Sequence, residues 1–62
     1  MQEKLKEMRK KALLTQKEAG ERLGVGQSTI AMWETGGCVP RTEMIPKIAN
    51  VYGCGIAELY GS

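Results

Sequence analysis

Apolar residues recur at helical spacing along this chain, and glycines keep cutting the stripes short. Nothing alternates as a half-buried strand would, so the chain reads as five short helices. In the first, Leu5, Met8 and Ala12 fall at i, i+3 and i+7 among charged residues. The second opens on Thr15-Gln16-Lys17-Glu18, a capping box: the Thr15 hydroxyl accepts from the amide of residue 18, and Glu18 reaches back to the Thr15 amide. It runs to about Leu23, with Ala19 and Leu23 on one face, and Gly24 supplies the left-handed residue that ends it. The third spans about Gln27 to Thr35, with Ile30 and Trp33 inward and Gln27, Ser28, Ala31 and Met32 turned elsewhere. Gly36 to Pro40 is a loop by composition. The fourth carries Ile45, Ile48, Ala49 and Tyr52 on one face. Pro46 leaves its start open: either the helix proper begins near the proline, or a loose turn precedes it. Gly53 ends it, and Ile56, Leu59 and Tyr60 form a last single-faced helix.

Sixty-two residues hold one domain, 1–62, near the small end of what folds without a staple. Apolar residues make up 42% and charged residues 26%, an ordinary globular balance. With no histidine, two cysteines and no clustered carboxylates, a zinc site and histidine acid/base chemistry are excluded. No enzyme activity, metal or cofactor is expected. No apolar run approaches the ~18 residues of a membrane span, and no signal-peptide core follows Met1. A single cysteine pair suits a reducing cytosol better than a disulfide scaffold, so a cytoplasmic protein is expected. Cys54 reads as a small core residue and Cys38, in its Gly/Pro loop, as an exposed free thiol.

Charge is unevenly placed. Residues 1–22 hold Lys4, Lys6, Arg9, Lys10, Lys11, Lys17 and Arg22 against four Glu, a net +3, while the remainder is −1. A basic end suits a polyanion, and it equally suits a solvated helix face. Thr15 to Glu34 adds a helix, a tight glycine turn and a second helix. This is helix-turn-helix spacing, in which the first helix clamps the second through Ala19, Leu23, Val25 and Ile30 and leaves the second's outer face free for a DNA major groove.

Leu14-Thr15-Gln16-Lys17-Glu18, then Leu23-Gly24-Val25, Gln27-Ser28-Thr29-Ile30 and Trp33-Glu34 resemble the Cro/C1-type (XRE) helix-turn-helix domain. Pro40-Arg41, Ile45 to Ala49 and Cys54 to Leu59 are similar to its later part, so the resemblance covers nearly the whole chain. It implies an all-α, compact five-helix, lambda-repressor-like domain that binds double-stranded DNA. By the same resemblance Gln27 and Ser28 read bases, Met32 reads a third position, and Gln16 meets a phosphate at a helix start. Thr29, Thr35 and Arg41 match backbone-contact positions, and Lys10, Lys11 and Lys17 supply non-specific attraction. Arg9 and Glu34 match a pair that ties the first helix to the end of the recognition helix. Removing one partner of such a buried pair costs ~3–5 kcal/mol, less if solvent reaches it.

Glutamine pairs bidentately with adenine, and apolar groups favour the thymine methyl. With no Arg or Lys on the reading face, A·T pairs are expected under Gln27 and Met32. The chain departs from the family pattern at Gly26 and Gly55, where a Ser or Thr cap is common, and at Gly37, where a basic residue is common. Ala19-Gly20 stands where leucine-alanine is usual, which suggests thin packing between the second and third helices.

The expected function is a sequence-specific transcriptional regulator, a repressor of phage, prophage or plasmid type. It would bind an inverted repeat as a weak homodimer formed through Ile56, Leu59 and Tyr60, with no small-molecule ligand and no membrane. The competing reading is a protein-interaction module, or antitoxin-like adaptor, that keeps the same fold.

Overall fold

In the computed structural model, which describes residues 1–61, every expected stripe becomes a helix. The last residue of the expected 1–62 domain lies outside the described residues. The elements are α1 (Gln2–Lys11), α2 (Gln16–Leu23), α3 (Gln27–Thr35), α4 (Ile45–Tyr52) and α5 (Ile56–Tyr60). The described residues contain no strand. A 3-10 turn over Thr42–Met44 leads into α4, which settles the question left by Pro46: the loose turn comes first, and the proline sits in the first turn of the helix. There its missing N–H would have had no partner anyway.

Each helix gives the core one large, fully buried aliphatic side chain: Leu5, Leu23, Ile30, Ile48 and Leu59. Burial of each contributes roughly 1.5–3 kcal/mol, so no helix is dispensable to the others. α1 packs on α3, α4 and α5, and α2 packs on α3 and α4. The Lys47 ammonium donates to the Leu23 carbonyl at 3.3 Å, which ties α4 to the otherwise open end of α2.

Leu59 corrects an expectation. It is fully buried in the core, so it cannot form a dimer surface, whereas Ile56 and Tyr60 are about half exposed (45% and 52%). Cys38 is corrected too. The loop after α3 folds back with Pro40 buried, leaving Cys38 half-buried against the core. Cys54 is half-buried as well, and burial, aided by the Glu58 charge, pushes its thiol pKa up.

The turn between α2 and α3 explains Gly20. The Val25 amide donates to the Gly20 carbonyl at 2.9 Å. A Cβ on residue 20 would lie 2.7 Å from the Val25 carbonyl oxygen. The bare backbone of α2 therefore lets the turn lie directly on it, and the packing that Ala19-Gly20 suggested would be thin is close. Gly24, at φ +75°, makes the turn itself.

Candidate nucleic-acid interface

Helix α3 is anchored on one side and open on the other. Ile30 and Trp33 are buried, while Gln27, Ser28, Met32 and Thr35 are exposed and Ala31 is half-exposed. Residues three and four apart share a helix face, so Ala31 sits between Gln27, Ser28 and Thr35 at the centre of this surface. Thr29 lies on the flank instead, half-buried, lining a shallow crevice with Val25, Trp33, Arg41 and Met44. Arg41 is 86% exposed at the side chain and makes a loose 3.9 Å pair with Glu43. Thr35 donates to the Met32 carbonyl at 3.5 Å.

Two helix starts are positioned beside this face. At α2 the full capping box forms: the Glu18 amide donates to Thr15 Oγ1 at 3.0 Å and the Thr15 amide to Glu18 Oε1 at 2.9 Å. Thr15 holds the Glu18 carboxyl below its ordinary pKa, its backbone N–H first and its side chain second. The amides of the first two helical residues, Gln16 and exposed Lys17, keep no intrahelical acceptor. At α3 the cap is Gly26, and no side chain caps the helix. Helix starts with free amides attract anions.

Arg9 joins these elements from behind. Its Nε donates to Glu34 Oε2 at 2.6 Å and its Nη2 to Glu34 Oε1 at 3.0 Å, a bidentate pair. Its Nη1 donates to the Leu14 carbonyl at 2.7 Å. The side chains are 9% and 3% exposed. The Glu34 hydrogen bond is the largest influence raising the Arg9 pKa, against the opposing effect of burial. With every guanidinium nitrogen engaged, Arg9 is a structural residue that fixes α1, the turn after it and α3. Gln16 belongs to the same cluster, because its Nε2 donates to Glu34 Oε1 at 3.2 Å.

The lysines divide by side. A helix turns by about 100° per residue, which sets Lys11 roughly opposite Arg9 around α1. Lys11 lines a shallow recess with Lys4, Met8, Glu58 and Gly61, on the α5 side. Lys10 and Lys6 are exposed on the flank nearer Arg9. Lys6 lies one turn before Lys10 and shares its flank of α1.

A short clamped helix, a glycine turn and a second helix with one buried and one open face define a helix-turn-helix protein. The chain belongs to the helix-turn-helix family, whose model matches residues 5–59. It is 38% identical over 56 residues to the cryptic phage CTXphi transcriptional repressor RstR of Vibrio cholerae, covering 90% of this chain and 50% of that protein. It is 38% identical over 58 residues to the HTH-type transcriptional regulator ImmR of Bacillus subtilis strain 168, covering 94% and 46%. It is 35% identical over 60 residues to an uncharacterized HTH-type transcriptional regulator of Archaeoglobus fulgidus, covering 97% and 84%. The chain thus spans about half the length of RstR and ImmR. No solved structure gives a significant match. Among the described residues no helix is long and apolar enough to cross a membrane.

Proposed function

We propose that this single domain is the sequence-specific, double-stranded DNA-binding part of a transcriptional regulator, acting as a repressor of phage, prophage or plasmid type in the cytoplasm. The observation that carries the reading is the outer face of α3, where Gln27, Ser28 and Met32 stand exposed on a helix whose opposite face is locked down by Ile30 and Trp33. Relatives named as transcriptional repressors and regulators support it. In this reading α3 lies in the major groove, Gln27 pairs with adenine, and Met32, with Ala31 beside it, meets thymine methyls. Gln16, Lys17, Thr29, Thr35, Arg41 and Lys10 meet the backbone, which sets register without reading sequence. Two copies on an inverted repeat supply the affinity that one small module lacks. The regulator needs no cofactor and carries out no reaction.

Selection of bound duplexes from a random pool, followed by a salt series on the winner, tests this. An enriched inverted repeat with A·T pairs in each half-site is expected. Gln27→Ala should relax preference at one position by roughly 1–3 kcal/mol. Lys10→Ala should weaken all sequences alike and lower the salt slope by about 0.9. A pool with no enriched sequence, and partner-protein binding untouched by both changes, would establish the adaptor reading instead.

A further inference from the structure

Glu34 receives three donors on two oxygens: Arg9 Nε, Arg9 Nη2 and Gln16 Nε2. The two Arg9 bonds account for the tie between α1 and α3. The third joins α3 to the first residue of α2, 18 positions earlier, and the Arg9 pair has no need of it. A carboxamide nitrogen carries two N–H groups, so the bond to Glu34 fixes the plane of the Gln16 side chain and leaves its second N–H for another acceptor. The side chain of Glu34 is 3% exposed, whereas Gln16 is half-exposed at the helix start. The buried partner is therefore the fixed one and the surface partner the one it orients.

We infer that Glu34 is a positioning residue for DNA: it holds the Gln16 carboxamide in the orientation that donates to a phosphate oxygen. One carboxylate on the recognition helix thereby sets the distance between the phosphate contact of α2 and the base-reading face of α3. The inference rests on the DNA-binding reading above and adds a specific division of labour to it. A long polar side chain at an exposed helix start loses rotamer freedom when it binds, and a side chain already held loses less. Glutamine at position 34 would break this arrangement. An amide offers one acceptor oxygen and one donor group in place of two acceptors, and the charged Arg9 guanidinium competes for that single acceptor. Gln16 is then released.

A double-mutant cycle on the affinity for the selected operator tests it, with thermal unfolding of each variant recorded alongside. Gln16→Ala alone should weaken binding about tenfold, the scale of one hydrogen bond to a charged group. In the Glu34→Gln background the same change should weaken it less than about twofold, because the held contact is already lost. Gln16→Ala should leave unchanged the affinity ratio between the operator and a single-base variant under Gln27, which separates a phosphate contact from a displaced recognition helix. Equal losses in the two backgrounds, or a changed ratio, would overturn the inference while leaving DNA binding standing. Failure of the unmodified chain to prefer any duplex removes the DNA reading itself, before any substitution is made. If Glu34→Gln does not fold, the side-chain amide protons of Gln16 in the unmodified protein decide the matter by NMR. One proton protected from exchange in the free protein, and the second becoming protected on adding operator, is the expected result. Two freely exchanging protons in the free protein overturn it.

Discussion

Leu13 stands at φ +61° and is 87% exposed, in the turn that carries the chain from α1 into α2. The left-handed region costs an L-residue with a Cβ roughly 1–2 kcal/mol, and this leucine recovers almost nothing by burial. Leu13→Gly relieves that cost at the expense of greater freedom in the unfolded chain, about 0.5–1 kcal/mol. The variant should be more stable by about 0.5–1 kcal/mol in urea unfolding. Tyr52 is the second residue whose environment works against it. Its hydroxyl is buried with no hydrogen-bond partner among the described residues. Burial pushes the phenol up to about 12, with the Glu34 charge adding to the rise and Arg9 opposing it. Because the pKa is raised on folding, the stabilising contribution is fully present below the ordinary value of 10 and is lost as pH climbs towards 12. Tyr52→Phe removes an unsatisfied polar group, so it should gain about 1 kcal/mol near neutrality. It should also flatten the loss of stability between pH 10 and 12, as read by urea midpoints across that window.

The five helices are capped unequally, and the inequality follows their roles. α2 has both halves of its capping box. α5 has one, the Gly55 amide donating to Glu58 Oε1 at 2.9 Å, because glycine offers no hydroxyl for the return bond. α3 has no side-chain cap, and its start is the end that faces the groove in the proposed complex. Thr15→Ala should cost about 1 kcal/mol at neutral pH. The Glu18 pKa is depressed on folding, so its contribution is present above the ordinary 4.5 and is lost as pH falls through the lower folded value. Without the Thr15 hydroxyl that acid limb should become shallower, which unfolding midpoints from pH 6 downward would show. Much of this scale was legible in the sequence. Thr15 to Glu18 and Gly24 set the limits of α2 through local hydrogen bonding and a left-handed turn, both of which need only neighbouring residues. The 3-10 turn before Pro46 stayed open in the sequence, because a proline accepts either start and the packing of α4 on its neighbours selects one.

As a whole, the Cα envelope measures 26 × 22 × 19 Å. Half-sites one DNA turn apart are separated by about 34–36 Å, so in the proposed complex two copies reading successive major grooves would meet only at their edges. Ile56 and Tyr60 are exposed large apolar residues of α5 available for such a contact. The small meeting area argues for a dimer completed on DNA. Ile56→Asp should leave binding to an isolated half-site unchanged while weakening binding to the full inverted repeat about tenfold, as read by titration of both duplexes. Equal affinity of the variant and the unmodified chain for the full repeat would place the contact elsewhere.

The sequence by itself determined the helical class, the glycine turns, the capping box and the outer face of α3, because periodicity and local hydrogen bonds are set by residues a few positions apart. Tertiary structure decided which neighbour covers each face. It buried Leu59 in the core, drew Cys38 against the core, turned Lys11 towards α5, laid Val25 on the bare backbone of Gly20 and brought Gln16 to the carboxylate of Glu34. Each of these depends on segments meeting across the core, a relation that spacing along one helix does not encode.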